Sequence, residues 1–209
     1  EISERNFNVW WDEFKSSNYS DFSRFNYGLF RNIENFRGQN ELLMLKFRKG
    51  FKEHYMLRYE TPNINKQKTL GINTHLEFFR RKKTFYQTIN NELVYFEDDN
   101  SFTSNEMLLN IEFIYRKKLK TKHKINFDYH STKVNTEIIF RNPNYLLNTN
   151  DKGSFGKLSY QLIHENRNSN IYPTNGIYFD IEISKNIAFK SPINHYEINF
   201  QLEKHRHFS

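Results

Sequence analysis

The chain has 209 residues, 31 Lys and Arg against 24 Asp and Glu, a net charge of +7 and no cysteine. That length fits one domain or part of a larger one. The missing cysteine excludes a disulfide framework and a thiolate metal site, and seven Gly with four Pro exclude a collagen-like chain or a flexible linker. A basic chain with 17% aromatics raises nucleic-acid binding, but the aromatics recur at strand spacing rather than in a stacking motif, so no nucleic-acid partner is expected.

Glu1 opens the chain without an initiator Met or a signal peptide, so the ends are read as those of a piece of a longer protein. No window holds the roughly 18–20 consecutive apolar residues of a membrane-crossing helix. Mean hydropathy is −0.86. A barrel strand remains open to a chain of this kind, because it shows lipid only at every second residue.

Taken in chain order, period-2 alternation recurs about ten times. It begins with Phe7, Val9 and Trp11, then Phe25, Tyr27 and Leu29, then Leu43, Leu45 and Phe47, then Tyr55, Leu57 and Tyr59. Leu70, Ile72, Leu76 and Phe78 oppose Asn73, His75 and Glu77. Leu109, Ile111, Phe113 and Tyr115 oppose Asn110, Glu112 and Arg116, with Ile114 breaking the pattern. Ile125, Phe127 and Tyr129 follow, then Leu158, Tyr160 and Leu162. No amphipathic helix is expected between these runs.

The clearest case is residues 177–189. Ile177, Phe179, Ile181, Ile183, Ile187 and Phe189 share one parity with Lys185, whereas Tyr178, Asp180, Glu182, Ser184, Asn186 and Ala188 take the other. Tyr196, Ile198, Phe200 and Leu202 then alternate with His195, Glu197, Asn199, Gln201 and Glu203. Soluble strands usually stop near 5–6 residues, whereas a tilted membrane strand needs about 9–11. Length and the aromatics near strand ends favour a membrane wall over a sandwich or lipocalin-like barrel, in which one face packs on a core. Ile177, Phe179, Ile181, Ile183, Tyr196, Ile198, Phe200 and Leu202 are therefore expected to face lipid.

Connectors fall into two classes. Residues 34–40, 61–68, 116–122 and 166–176 are short, and residues 16–23, 80–105 and 134–154 are long, with residues 49–52 tight at the long-loop end. Short turns at one end and longer loops at the other are a barrel trait.

Three segments carry a family resemblance. Residues 160–176 run from Tyr160 through Glu165-Asn-Arg167-Asn to Pro173-Thr174-Asn-Gly176. They resemble a hairpin of the BamA/TamA-like outer-membrane assembly-factor family, also called bacterial surface antigens, whose usual cluster is Asp-x-Arg-Asp. Asn35-Phe-Arg-Gly38 resembles the family's Asn-x-x-Gly turn after its second strand, and residues 55–62, ending Thr-Pro, resemble a strand ending in an x-Pro turn. The resemblance implies an all-β, antiparallel, up-and-down transmembrane β-barrel, of which residues 1–209 are the N-terminal portion. About ten of roughly sixteen strands are covered. The POTRA domains, the closing strands and the lumen loop with its Arg-Gly-Phe motif are absent from it.

The resemblance further implies insertion or translocation of proteins in the bacterial outer membrane by strand-edge pairing and lateral opening. Phe7, Val9 and Trp11 would belong to the gate strand, and Pro173, Thr174 and Gly176 to a periplasmic turn. Partners would be outer-membrane lipid, unfolded or secreted clients and accessory assembly subunits. Two alternatives stay open: a barrel anchoring a fused patatin-like lipase, and a soluble β-domain binding an apolar ligand or a partner.

No catalytic residue, cofactor site or metal site is expected. His205 and His207 lie two apart with no third ligand placed. Gly153-Ser-Phe-Gly156 is not a nucleophile elbow. Asp180 and Glu182, about 7 Å apart along a strand, read as polar-face residues that pair across strands. The basic runs 80–83 and 116–124 read as solvated strand ends that a barrel would place at the membrane boundary.

Overall fold

The computed structural model describes residues 7–20, 25–147, 149–190 and 192–206. Nine strands form one antiparallel sheet: β1 (Asn26–Glu34), β2 (Leu42–Gly50), β3 (Lys52–Thr61), β4 (Leu70–Arg81), β7 (Ser104–Lys118), β8 (Thr121–Val134), β9 (Lys152–Glu165), β10 (Gly176–Ala188) and β11 (Tyr196–His205). The chain adds each strand beside the last, interrupted only by a separate hairpin, β5 (Lys83–Ile89) and β6 (Glu92–Glu97), inserted between β4 and β7. The sheet is not closed: among the described residues β1 pairs only with β2 and β11 only with β10.

Register turns the alternation into two surfaces. Reading across the sheet, Glu34, Leu42, Glu60, Asn73, Glu112, Asn126, Ser159, Ser184 and Glu197 stand side by side. Three residues further along β2 to β10, on the opposite face, the row reads Leu45, Leu57, Leu76, Leu109, Tyr129, Gly156 and Ile187. The polar face is the crowded one. Ser184 is 2% exposed, and Ser159 and Asn186 are also buried, while Ile183, next to Ser184 on the other face, is 48% exposed. A flat sheet would expose both faces alike. This one curls around its polar side and turns its apolar side outward, the reverse of a water-soluble domain.

Cross-strand bonds pair many polar-face side chains, although the buried Ser184 hydroxyl has no hydrogen-bond partner among the described residues. Asn110 Nδ2 donates to Asn126 Oδ1 and to Asp128 Oδ1, both at 2.7 Å. Asn73 Nδ2 donates to Glu112 Oε1 at 2.8 Å, and Lys124 pairs with the same carboxylate at 3.2 Å. Such pairs are the unit of sheet stabilisation, each contributing roughly 0.2–1 kcal/mol.

Two of the three segments read as long connectors, 80–105 and 134–154, hold folded elements. The β5–β6 hairpin and a short helix, α2 (Thr136–Arg141), close on one small core of Tyr86, Val134 and Ile138. Asn135 caps α2 by accepting the Glu137 N–H at 2.9 Å. Asn142 Nδ2 donates to the Tyr86 carbonyl at 2.7 Å, and the Arg141 guanidinium lies 5.1 Å from the Phe96 ring centroid. A cap therefore sits at the long-loop end of the sheet.

The first expected strand is corrected. Phe7, Val9 and Trp11 belong to a helix, α1 (Phe7–Ser16), and the sheet begins at β1. At helical spacing Phe7, Trp10, Trp11 and Phe14 share one stripe, and their rings pack together. Trp10 is buried and meets Phe25 edge-on at 5.0 Å, which attaches α1 to the residue before β1. Asp12 and Lys15 pair at 2.9 Å on the polar side, an i,i+3 contact that the helix brings together and an extended strand does not.

Candidate functional site: a free strand edge and an organised turn end

Four connections share one end of the sheet: residues 35–41, 62–69, 119–120 and 166–175. Three of them are held by an asparagine side chain. Asn35 Oδ1 accepts the Asn40 N–H at 2.8 Å, Asn65 Oδ1 accepts those of Thr69 and Leu70, and Asn168 Oδ1 accepts those of Thr174 and Asn175. Each side chain mimics a backbone turn acceptor, which is why asparagine recurs at these places.

Pro173, Thr174 and Gly176 all lie in or at the edge of the 166–175 loop. Gly176 starts β10 at φ +118°, and a Cβ there would stand 2.2 Å from the Asn166 carbonyl oxygen, so only glycine fits. At the loop base Arg167 donates to both Glu165 oxygens (2.9 and 2.5 Å) and to Glu203 of β11 (2.5 Å), with its guanidinium 4.5 Å from the Tyr178 ring centroid. The hydrogen bonds that Arg167 donates to Glu165 hold its guanidinium protonated well above its ordinary range. The acidic–Arg cluster is thus a clamp joining three strands.

The 35–41 turn has its own clamp. Arg37 donates to Glu41 through Nε (2.9 Å) and Nη2 (2.6 Å), and Tyr59 Oη donates to the same carboxylate at 2.8 Å. These bonds, led by the one from Arg37, hold the Glu41 carboxyl down to about 2.

The expected outward residues divide in two. Ile177 and Ile183 are exposed, as are Tyr196, Ile198, Phe200 and Leu202, at 60–74% for the four on β11. Phe179 and Ile181 are half-buried: Phe179 stacks on His164 at 5.4 Å, and Ile181 stands between Phe200 and Leu162. Lys185 shares this face, and its ammonium sits 3.8 Å from the Tyr196 ring centroid. On the polar face Glu182 pairs with Lys157 at 3.6 Å, but Asp180 takes a neutral partner, Gln161 Nε2 at 2.8 Å.

Phe7, Val9 and Trp11 are not brought to a strand edge, because they lie on α1. The edge itself falls to β1, whose residues beyond Asn26 are almost all exposed. Gly28 lets β1 approach β2 closely, since a Cβ there would meet the Phe47 carbonyl oxygen at 2.0 Å. Sequence reasoning placed a strand at residues 25–29 but assigned the edge to its predecessor. Among the described residues no group of three or more His, Asp or Glu could hold a metal. His205 lies 3.4 Å from Glu203, and His207 is outside the described residues. Ser154 is buried within β9.

A model of the Omp85 superfamily domain matches residues 35–209. The chain belongs to the Omp85 superfamily. The match supports a family of outer-membrane proteins that insert or translocate polypeptides. Helix α1 and strand β1 precede the matched residues of this Omp85 chain. Among solved structures it is similar to the crystal structure of BamA from Haemophilus ducreyi lacking POTRA domains 1–3, at 13% identity and a TM-score of 0.49. That similarity covers 87% of this chain and 35% of the BamA chain, so the Omp85 chain spans about a third of that structure. No curated protein matches it.

Proposed function

We propose that this Omp85 chain is the N-terminal portion of a transmembrane β-barrel in the bacterial outer membrane. In this reading it inserts or translocates proteins by offering the free edge of β1 to an incoming strand. The observation that carries the proposal is that β1, at the start of a sheet whose apolar face points outward, pairs among the described residues only with β2. An exposed edge presents a row of backbone N–H and C=O groups, and in hydrocarbon each must find a partner. A client strand supplies those partners by β-augmentation. No bond chemistry is needed. Unfolded clients, lipid against the apolar face and accessory assembly subunits are the partners of this reading.

The test uses the full-length protein with a photo-cross-linking amino acid at Phe30 of β1, and separately at Ile111 of the central strand β7. Client outer-membrane proteins should be captured from Phe30 and not from Ile111. Capture from neither position, or equally from both, removes β1 as the docking edge.

A further inference from the structure

The two basic runs of the chain reach opposite ends of the sheet and meet opposite surroundings. At the capped end Arg80 pairs with Glu53, Arg81 with Glu106 and Lys83 with Glu97, and Lys82 donates to the Asp99 carbonyl oxygen. That run is neutralised. At the turn end Arg116, Lys117, Lys118, Lys120 and Lys122 have no carboxylate within ion-pair distance among the described residues, and neither do Lys66 and Lys68 of the adjacent turn.

Three of these cations converge. The Arg116 N–H donates to the Thr69 carbonyl at 2.7 Å, which draws the 62–69 turn against the end of β7 and brings Lys68 with it. Gly71 stands beside Ile114 and Ile114 beside Lys124, so Lys124 and Lys122, two residues apart, share the polar face there. The result is a cleft of ≈ 240 Å³ whose lining includes Lys68, Thr69, Arg116, Lys122, Lys124 and one acid, Glu112. That acid is already taken by Lys124 and Asn73. Lys68, Arg116 and Lys122 are left without a counter-charge, and Arg116 and Lys122 are half-buried, where water and salt screen them less. Ile114, the residue that broke the alternation, lines the same cleft.

The cleft opens on the polar face, not the apolar one. If the apolar face meets lipid, an anion reaches these cations through water on the inner side, and a bilayer headgroup does not. An extended acidic segment presents carboxylates on one side about every 7 Å, the same spacing that separates Lys122 from Lys124 along β8. We infer that this cleft binds an acidic polypeptide segment, of a client or of a partner, at the inner mouth of the sheet. The assignment rests on the reading of the chain as a polypeptide-handling barrel.

The experiment titrates fluorescein-labelled hexaglutamate with the full-length protein in zwitterionic detergent and reads anisotropy. Saturable binding is expected, weakened at least ~10-fold by Arg116→Gln with Lys122→Gln, as loss of complementary charge requires. It should vanish in about 1 M NaCl, where the Debye length falls to about 3 Å. Lys117→Gln with Lys118→Gln, on the same hairpin outside the cleft, should change it by less than about twofold. Lys68→Gln, on an exposed turn, repeats the test should the double variant fail to fold. Unchanged binding by the cleft variants, or inorganic phosphate competing as well as hexaglutamate, overturns the assignment. So does a cleft-dependent flotation with anionic lipid vesicles without cleft-dependent peptide binding. Because the assay contains no client and reads no insertion, its failure leaves the β1 edge reading standing. A failed cross-link at Phe30 likewise leaves the cleft.

Discussion

Glu41 shows how a single side chain sets the geometry of a turn. It lies beneath Arg37 and Tyr59, buried from solvent, and its carboxyl is held down to about 2 from an ordinary 4.5. A carboxyl whose folded value lies below its unfolded value contributes stability that is fully present above about 4.5 and is lost as pH falls toward about 2. Glu41→Gln should therefore loosen the 35–41 turn at neutral pH, and the difference from wild type should shrink through that acid window. Limited proteolysis at Arg37 in the full-length protein, followed from neutral pH downward with an acid-tolerant protease at the low end, checks it. A difference that stays constant with pH would sink the ion-pair account. Asn35 was legible as the start of an Asn-x-x-Gly turn, and Gly176 as the end of a Pro-Thr-x-Gly turn. The Arg37–Glu41–Tyr59 clamp was not, because its third member comes from β3 and nothing in sequence spacing places it.

At the level of elements, alternation and helical spacing compete within residues 7–16. Phe7, Val9 and Trp11 satisfy a period of two, while Phe7, Trp10, Trp11 and Phe14 satisfy the helical stripe. What decides is tertiary: the helical stripe gathers its rings into one cluster that closes on Phe25, which no strand parity could do because Trp10 and Trp11 would point to opposite faces. Trp10→Ala should detach α1 while leaving the sheet intact. The expected result is faster tryptic cleavage after Lys15 with unchanged far-ultraviolet β signal; loss of the β signal would mean that α1 nucleates the sheet. The runs that became β10 and β11 were the most legible, because alternation over so many residues has no helical reading. The β5–β6 hairpin was missed because its bulge between Phe85 and Gln87 breaks the period.

For the whole molecule the deciding property is inverted polarity. Buried positions are mostly Ser, Thr, Asn and Glu, while Leu, Ile, Phe and Tyr stand outward along nine strands. Alternation alone predicted two faces but not which one would be crowded; curvature settles that, and curvature is a property of register across the whole sheet. If the outward face meets hydrocarbon, a cation in its middle is costly, about 2–4 kcal/mol near the bilayer midplane and little near the interfaces. Lys185 fits that gradient by standing toward the capped end of β10, its ammonium over Tyr196. Ile183 stands two residues further in, in the row of Ile198, Tyr160, Ile125 and Phe113. Ile183→Arg should lower the urea midpoint of the full-length protein in liposomes by the equivalent of about 2–4 kcal/mol. The same exposed substitution on a water-facing sheet would change stability by no more than about 0.5 kcal/mol. A near-neutral result in liposomes would therefore return the apolar face to water and take the barrel reading with it, since no other feature explains why so many apolar side chains are turned away from a core.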